Sequence, residues 1–206
     1  MHCETGPGVW EAALKASSGI EAADRGSLFK TFSKVYFQRQ EQISTFMAKW
    51  SMDYPGQSGH YHFSLLDEEG TNVFFDGTKE SCISELQLNA LGGLTKYLPV
   101  FLPMLAPTIN SYTRLVKGAW APTSSTWGVE NRTAAIRVIP GSAASQRIEC
   151  RAGGADANPY LAGAAILGAA LLGIREKLSP GKAIIGNAYE QEDSLSSDLK
   201  FPTSLG

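Results

Sequence analysis

The sequence has little of what marks several large classes of protein. Only three of its 206 residues are cysteine, at Cys3, Cys82 and Cys150, and no two of them form a C-x-x-C pair. This argues against a disulfide framework or a zinc ribbon. No apolar run reaches the roughly 18 residues that a membrane span needs, and the N-terminus has no basic, signal-like stretch. We therefore expect a cytoplasmic chain with no membrane partner.

An excess of charge of one sign is also missing. Lysine and arginine number 18 against 20 aspartates and glutamates, for a net charge of −2. This balance lacks the basic surplus of a nucleic-acid binder, so we expect no nucleic-acid partner. The length and the 43% hydrophobic content suit one domain or a large piece of one, with a buried core.

Hydrophobic periodicity predicts a mixture of helices and mostly antiparallel strands. Helical spacing is found in three segments: 21–50, 84–97 (ended by Pro99) and 159–178. Alternating strands are predicted over three others: 60–66, 132–139 and 147–151. The first strand should form a hairpin with 73–75, and 110–127 should be mostly loop. This mixture favours an α+β fold.

Two of the three histidines lie on one predicted strand. His60, His62 and Ser64 are two residues apart, so they project from the same face of the strand, while their neighbours project from the other. The strand thus presents two imidazoles and a hydroxyl to a polar space. An exposed strand edge with incidental histidines would show the same pattern.

A second predicted strand places Glu149 between Arg147 and Arg151 on one face. Arg114, Arg132 and Arg137 lie upstream, which makes five arginines in under 40 residues. Such a group repels itself unless an anion occupies it, and arginine suits bidentate binding of carboxylate or phosphate. The pattern predicts an anionic ligand, although a solvent-exposed strand with alternating charges would look similar.

The third group of polar residues is Glu4 and Glu11, separated by a Gly-Pro-Gly turn. With Glu149 and His60 they make three carboxylates and one imidazole, a donor set that suits Mg²⁺ or Mn²⁺ better than zinc. A divalent metal, an arginine-bound anion and no serine or cysteine triad together point to phosphoryl transfer.

The order and spacing of these segments resemble the catalytic domain of the glutamine synthetase family. Five ordered motifs carry the resemblance: Glu4…Pro7-Gly8…Glu11, Gly59–Leu65, Asn110–Arg114, Asn131–Arg137, and Arg147–Arg151 followed by Ala157–Leu161. In the same order, they resemble the family's metal-ligand loop, its histidine strand, its Asn-Ser-Tyr-x-Arg segment, its Asn-Arg-x-x-x-x-Arg strand and its Arg-x-Glu-x-Arg…Ala-Asn-Pro-Tyr-Leu segment. They span most of the chain.

The resemblance implies a role for each matched residue. Glu4 and Glu11 would hold one metal ion, and His60 and Glu149 a second one between the nucleotide phosphates. The nucleotide would be bordered by His62 and Ser64, with its phosphates on Arg147. The amino-acid substrate would be bound by Arg114 and Arg151, and the transferred phosphoryl group stabilised by Arg132 and Arg137.

The resemblance also implies an activity and an assembly. The activity is ATP-dependent ligation of glutamate to ammonia or an amine through γ-glutamyl phosphate, with Mg²⁺ or Mn²⁺ as cofactor and ATP as co-substrate. The fold would be a curved, mostly antiparallel sheet, a partial barrel with outer helices. We expect residues 1–206 to be a partial catalytic domain without the family's N-terminal β-grasp domain and C-terminal helices, inactive alone. The full-length parent would be a homo-oligomer of dodecamer type.

One departure from the family pattern concerns the amine. Where ammonia-using members carry a glutamate in Arg-Leu-Val-x-Gly-x-Glu-Ala-Pro, this sequence has Trp120, and an indole cannot accept a proton from ammonium. Trp120 is therefore a candidate residue of a pocket for a larger amine, as in glutamyl-polyamine synthetases. A non-catalytic relative such as lengsin would also lack this glutamate.

Overall fold

The computed structural model describes residues 1–205, which form an α+β fold of eleven helices and strands. In chain order these are β1 (His2–Cys3), β2 (Trp10–Glu11), α1 (Glu21–Gln38), β3 (Tyr61–Phe63), α2 (Glu85–Leu105), α3 (Ile109–Arg114), β4 (Trp127–Val129), β5 (Ile136–Ile139), β6 (Arg147–Cys150), α4 (Pro159–Glu176) and α5 (Ala188–Gln191). Short 3₁₀ turns lie at Glu80–Cys82, Glu192–Ser194 and Ser197–Leu199. No helix within residues 1–205 is both long enough and apolar enough to cross a membrane.

An open sheet of four strands in the order β3-β6-β5-β4 brings the three predicted strands together, as expected. Its pairs are antiparallel except the parallel pair of β4 and β5. The strands are shorter than predicted: the first ends at Phe63, and the second begins at Ile136. Beyond Phe63 the predicted hairpin is reduced to a tight turn with one bridge, Leu66 to Asn72.

One face of the sheet is apolar because the strands alternate. Ile136 and Val138 on β5, with Ile148 and Cys150 on β6, are fully buried in the core that α2 and α4 complete. The intervening positions on the opposite face carry Arg137, Arg147 and Glu149. The sheet therefore separates a hydrophobic core from a polar face, as the period-2 pattern predicted.

Helix α2 continues past the point where the sequence predicted its end. Pro99 and Pro103 both lie inside it, and Pro99 has no N–H to donate to the carbonyl of Thr95, four residues earlier. The Ser125 hydroxyl donates to that carbonyl instead, at 2.8 Å. The prediction that Pro99 ends the helix is wrong, because a side chain from a distant segment satisfies the exposed backbone oxygen.

We expect Ser125→Ala to lower the free energy of unfolding by about 1–3 kcal/mol, the cost of leaving a buried acceptor unpaired. Urea unfolding followed by circular dichroism measures this loss. Pro99→Ala restores a backbone N–H at residue 99, so the same Ser125→Ala change should cost clearly less in that background. Equal costs in both backgrounds would contradict the assigned role of the hydroxyl.

Helix α1 is shorter than predicted and ends at Gln38 rather than near residue 50. Glu41 takes a left-handed conformation with φ of 58°, and the Gln42 amide donates back to the carbonyl of Phe37 at 2.9 Å. The chain then folds back, and the Phe46 ring packs edge-on against Phe29 with centroids 5.9 Å apart. Phe46 thus covers α1 rather than extending it, and Ile43 is exposed.

Helix α4 begins and ends near its predicted boundaries. The Asn158 side chain accepts hydrogen bonds from the amides of Tyr160 and Leu161, and Pro159 occupies the first turn, where its missing N–H costs nothing. At the other end Lys177 is left-handed, with φ of 52°.

In the segment 110–127, predicted as loop, the structure has the short helix α3, which Thr108 and Ser111 cap reciprocally.

Candidate active site

The polar face of the sheet holds a row of ionisable side chains across three strands. Strand register places His62 on β3 opposite Glu149 on β6, and Arg137 on β5 opposite the same Glu149. Directly opposed residues on antiparallel strands have side chains about 5 Å apart. Strand pairing alone therefore gathers an imidazole, a carboxylate and a guanidinium.

Glu149 is the centre of this group and is only 2% exposed. Its Oε1 lies 2.8 Å from Arg151 Nη1 and 3.1 Å from His60 Nδ1, and its Oε2 lies 3.1 Å from Arg137 Nη1. Burial opposes ionisation of this carboxyl, but the hydrogen bond from His60 and the nearby positive charges hold its pKa well below the usual range. Glu149 is therefore a buried carboxylate that stays ionised.

His60 is oriented by this carboxylate and by a close backbone approach before β3. A Cβ at Gly59 would lie 2.7 Å from the carbonyl oxygen of Gly154, so only glycine lets the chain enter the strand at this depth. Burial lowers the pKa of the His60 imidazole, against the attraction of Glu149. The neutral ring then donates from Nδ1 to Glu149, which leaves a lone pair on Nε2.

The Nε2 atom of His60 is buried and has no hydrogen-bond partner among the described residues. An orphaned imidazole nitrogen beside an ionised carboxylate is a donor pair that suits a divalent cation. The structure thus places these two residues within 3.1 Å of each other, with the carboxylate on Nδ1 and the free lone pair of Nε2 on the other side of the ring. That both bind one metal ion stays a prediction.

A second donor group lies on the two-stranded ribbon of β1 and β2. Glu4 and Glu11, the other predicted metal pair, both approach the Nε2 atom of His2, at 3.0 and 3.1 Å. Each of the three residues offers a ligand atom within 4.8 Å of the other two. In the described part of the chain this is the only such group of three or more His, Cys, Asp or Glu side chains. The four predicted metal ligands therefore lie in two separate pairs, and that each pair holds a metal ion stays a prediction.

Sequence reasoning missed His2. It lies two residues before Glu4 and directly opposite Glu11 in the ladder, so all three side chains share one face of the ribbon. The period-2 rule that singled out His60 and His62 would have found His2 and Glu4, had β1 been recognised as a strand. Two residues are too few for a pattern of alternation to be visible.

The five arginines do not form the unneutralised cluster that the sequence suggested. Arg137 is paired with Glu149 and with the exposed Glu130, and Arg151 is paired with Glu149. Arg114 is 1% exposed, and the negative charge of Asp156 acts on its guanidinium without an ion pair between the two among the described residues. Glu130 and Glu149 thus neutralise two of the five arginines, and an anionic ligand for the group stays a prediction.

The remaining two arginines are more open. Arg147 donates from Nε to His62 Nδ1 at 3.3 Å, and from Nη1 to the Ser145 carbonyl. Arg132 is exposed and makes no hydrogen bond or ion pair with another residue of the segment 1–205. These two guanidiniums keep donors available for an anion.

Arg114 is held inside the protein. Its guanidinium donates to Ser58 Oγ at 3.0 Å and to the carbonyl of Ala152 at 2.5 Å, which ties the approach to β3 to the chain leaving β6. Burial lowers its pKa to about 10, against the attraction of Asp156. Within residues 1–205, its Nε is buried without a hydrogen-bond partner, as is that of Arg151. That these two arginines bind an amino-acid substrate stays a prediction.

Two further predicted site residues are exposed. Ser64 follows the end of β3, and Trp120 lies in the turn after α3, 60% exposed and left-handed with φ of 57°. Neither side chain makes a hydrogen bond to another residue of the described chain. Their predicted roles beside a nucleotide and an amine stay predictions.

Asp156 is a residue that the sequence did not suggest. Its Oδ2 accepts hydrogen bonds from Thr108 and Ser111, at 3.0 and 2.5 Å, and its Oδ1 is buried with no hydrogen-bond partner in the described part of the chain. Asp156 therefore fixes the start of α3 and supplies the counter-charge of Arg114, which is a positioning role. An aspartate in a loop of small residues gave no signal of this.

Comparisons of the sequence with known proteins all find members of one family. The sequence model of the family "Glutamine synthetase, catalytic domain" matches residues 1–206. The chain is 47% identical over 193 residues to Type-1 glutamine synthetase 2 of Dictyostelium discoideum. The aligned region covers 92% of this chain and 37% of that protein. It is 39% identical over 198 residues to glutamate–isopropylamine ligase of a Pseudomonas species, covering 96% of the chain and 43% of that protein.

Solved structures agree with the sequence relatives. A structure titled as a complex of GmaS with ADP superposes with a TM-score of 0.80 and 35% identity, over 89% of this chain and 43% of that one. The chain thus spans less than half the length of the proteins it matches.

Proposed function

Since the chain belongs to the glutamine synthetase family, we propose that it forms part of the active site of an ATP-dependent ligase. The reaction joins the side-chain carboxylate of glutamate to ammonia or a larger amine through a γ-glutamyl phosphate. The names of two relatives, a glutamine synthetase and a glutamate–isopropylamine ligase, support both amine classes. Residues 1–206 as part of a catalytic domain, a homo-oligomeric parent and a cytoplasmic location belong to the same proposal.

The observation that carries this proposal is the buried, ionised carboxylate of Glu149 beside the unpartnered Nε2 of His60. A buried imidazole nitrogen without a partner among the described residues is costly, and a bound cation would supply the partner that Nε2 lacks. The Glu149 carboxylate, which accepts from Nδ1, would orient the ring for such a cation. The arginines around Glu149 would then line a site for an anionic substrate.

Two donor pairs would hold the divalent cations, Glu4 with Glu11 and His60 with Glu149. Oxygen donors with a single nitrogen suit Mg²⁺ or Mn²⁺. When bound, the cations would neutralise negative charge on the nucleotide phosphates and on the transferred phosphoryl group.

The arginines on the polar face would orient and stabilise the anions. Arg137 is fixed between Glu130 and Glu149 before any substrate arrives, and such preorganised donors are effective because they need not rearrange during reaction. Arg132, which has no partner, would complete the binding of the transferred phosphoryl group. Arg147, joined to His62, would bind the nucleotide phosphates, with Ser64 at the nucleotide edge.

The site for the amine would include the exposed indole of Trp120. Packing about 60 Å² of an alkyl or polymethylene stem on this ring is worth about 1.5 kcal/mol, or roughly a tenfold gain in kcat/KM. Ammonium has no apolar stem, and a carboxylate is missing at residue 120 to deprotonate it. Cation–π attraction would also favour the charged, non-nucleophilic form.

We therefore expect the protein expressed from its complete coding sequence to use isopropylamine or putrescine at least about tenfold better than ammonium. The measurement is phosphate release that depends on ATP and glutamate, near neutral pH. Trp120→Glu should improve the use of ammonium and impair that of the alkylamines. Trp120→Phe keeps the apolar surface and serves as the matched control, which should retain the wild-type preference.

Two results would count against these statements. Efficient release with ammonium that Trp120→Glu does not improve would contradict the amine-pocket argument while leaving the ligase proposal standing. No release with any amine, from a protein that binds Mn²⁺ and assembles, would overturn the ligase proposal in favour of a non-catalytic relative.

A further inference from the structure

Helix α5 carries a buried tyrosine that bonds to the chain directly after Trp120. Tyr189 is 8% exposed, and its hydroxyl donates to the carbonyl of Ala121 at 2.9 Å. Burial raises the pKa of this phenol, against the positive charges of Arg151 and Arg114 that also act on it, so the group stays protonated and donates at neutral pH. A hydroxyl from 68 residues away in the sequence thus fixes the chain next to Trp120.

The turn that presents Trp120, residues 116–120, has this one polar anchor at its end. Trp120 has a left-handed backbone, with φ of 57°, which is unfavourable for a residue with a bulky side chain and persists only where the surrounding structure holds it. Ala121 after it is 1% exposed. Within residues 1–205 no other hydrogen bond is made to the backbone of residues 120–122. The Tyr189 hydroxyl is therefore the polar contact that holds this turn in place.

Helix α5 is in turn bonded to the loop that carries Arg132. The Ala188 amide at the start of the helix donates to Thr133 Oγ1 at 2.9 Å. Thr133 directly follows Arg132, the residue proposed to bind the transferred phosphoryl group. The Asn131 side chain, on the other side of Arg132 in the sequence, donates to two backbone carbonyls just before the helix. Helix α5 therefore links the turn of Trp120 to the loop of Arg132.

We propose that Tyr189 is a positioning residue, which holds Trp120 in place relative to the Arg132 loop and thereby sets the preference for alkylamines over ammonium. This inference rests on the proposed function, which places Trp120 beside the amine. An amine that attacks an acyl phosphate must be held close to it, and the indole can hold an alkyl stem only where its own position is fixed. Ammonium has no such stem, so its use does not depend on Tyr189.

Tyr189→Phe tests this role in the complete protein, because phenylalanine keeps the buried ring and removes only the hydroxyl. Its kcat/KM for isopropylamine should fall about threefold to tenfold, mainly through a higher KM for the amine, since tenfold is the whole gain expected from packing on the indole. Its kcat/KM for ammonium and its KM values for ATP and glutamate should stay within about twofold of wild type. A role in stability alone would not separate these substrates.

A second pair of variants shows whether Tyr189 acts through Trp120. In a Trp120→Ala background the indole is absent, so Tyr189→Phe should cause no further loss with isopropylamine. Tyr97→Phe is the matched control, because it also removes a hydroxyl hydrogen bond, to Glu176 at 3.0 Å, but between α2 and α4. It should change none of these kinetic values.

The position of the indole is measured without any substrate. Crystal structures of the complete wild-type protein and of Tyr189→Phe compare the turn of Trp120 directly. In the variant the indole should be displaced or spread over several conformations, and the backbone of residue 120 should no longer be held at positive φ. Tyr97→Phe should keep the wild-type turn.

An indole in its wild-type position in Tyr189→Phe would overturn the proposal, whether or not the protein is a ligase. Equal losses with isopropylamine and ammonium would also overturn it, as would an undiminished effect of Tyr189→Phe in the Trp120→Ala background. The absence of phosphate release from the wild-type protein with every amine would refute the ligase function, and with it the effect on amine preference. The crystal structures would then still decide whether Tyr189 positions Trp120.

Discussion

Replacing Gly173 by valine should lower the free energy of unfolding by about 3 kcal/mol or more. Helices α2 and α4 cross here with their backbones in contact. A Cβ at Gly173 would meet the Asn89 carbonyl oxygen and the Gly93 amide, and would lie 2.6 Å from the Gly93 Cα. These are backbone atoms, so no side-chain rotation can relieve the overlap, and the helices must separate.

Thermal and urea unfolding measure this effect, which corresponds to a fall in Tm of about 10 °C for a chain of this size. Gly168→Ala is the matched control. Gly168 lies on the same helix, but a Cβ there meets nothing within 4 Å, so alanine should be neutral or stabilise by up to about 1 kcal/mol. Similar losses in both variants would show that helix propensity, and not the crossing of α2 with α4, explains the Gly173 result.

Glu149→Gln should produce the second large effect, because it removes the charge that neutralises Arg137 and Arg151. Removing one partner of a buried ion pair costs about 3–5 kcal/mol of stability. The same change should weaken Mn²⁺ binding and phosphate release by at least about 100-fold in the complete protein, since the proposed ligand is lost. Unfolding, metal titration and phosphate release measure the three quantities separately.

Glu176→Gln is the control for this prediction. Glu176 also contacts a cation, Lys96, and accepts from Tyr97, but it lies on the surface of α4. Its loss should leave the free energy of unfolding nearly unchanged, because exposed ion pairs contribute little, and should leave phosphate release unchanged. A folded Glu149→Gln protein with wild-type metal binding would refute the assignment of Glu149 as a ligand, even if its stability were reduced.

The amino-acid sequence by itself determined which residues could share a face. Alternation at every second position fixed the polar side of β3 and β6, because successive side chains on a strand must point in opposite directions. The start of α4 at Pro159 could also be predicted, because local hydrogen bonds to the Asn158 side chain determine it. Ordered motifs from Glu4 to Leu161 determined the family.

Only the tertiary structure decided which of these residues meet. Register across β3, β6 and β5 chose Arg137, and not Arg147, as the partner of Glu149, and it joined Arg147 to His62 instead. The short ribbon brought His2 to Glu4 and Glu11, and the Ser125 hydroxyl let α2 continue through Pro99. Each of these contacts joins residues that are distant in sequence or lie in elements too short to show a period. Local propensity carries no information about such contacts, because they form only when the core fixes the separate segments in space.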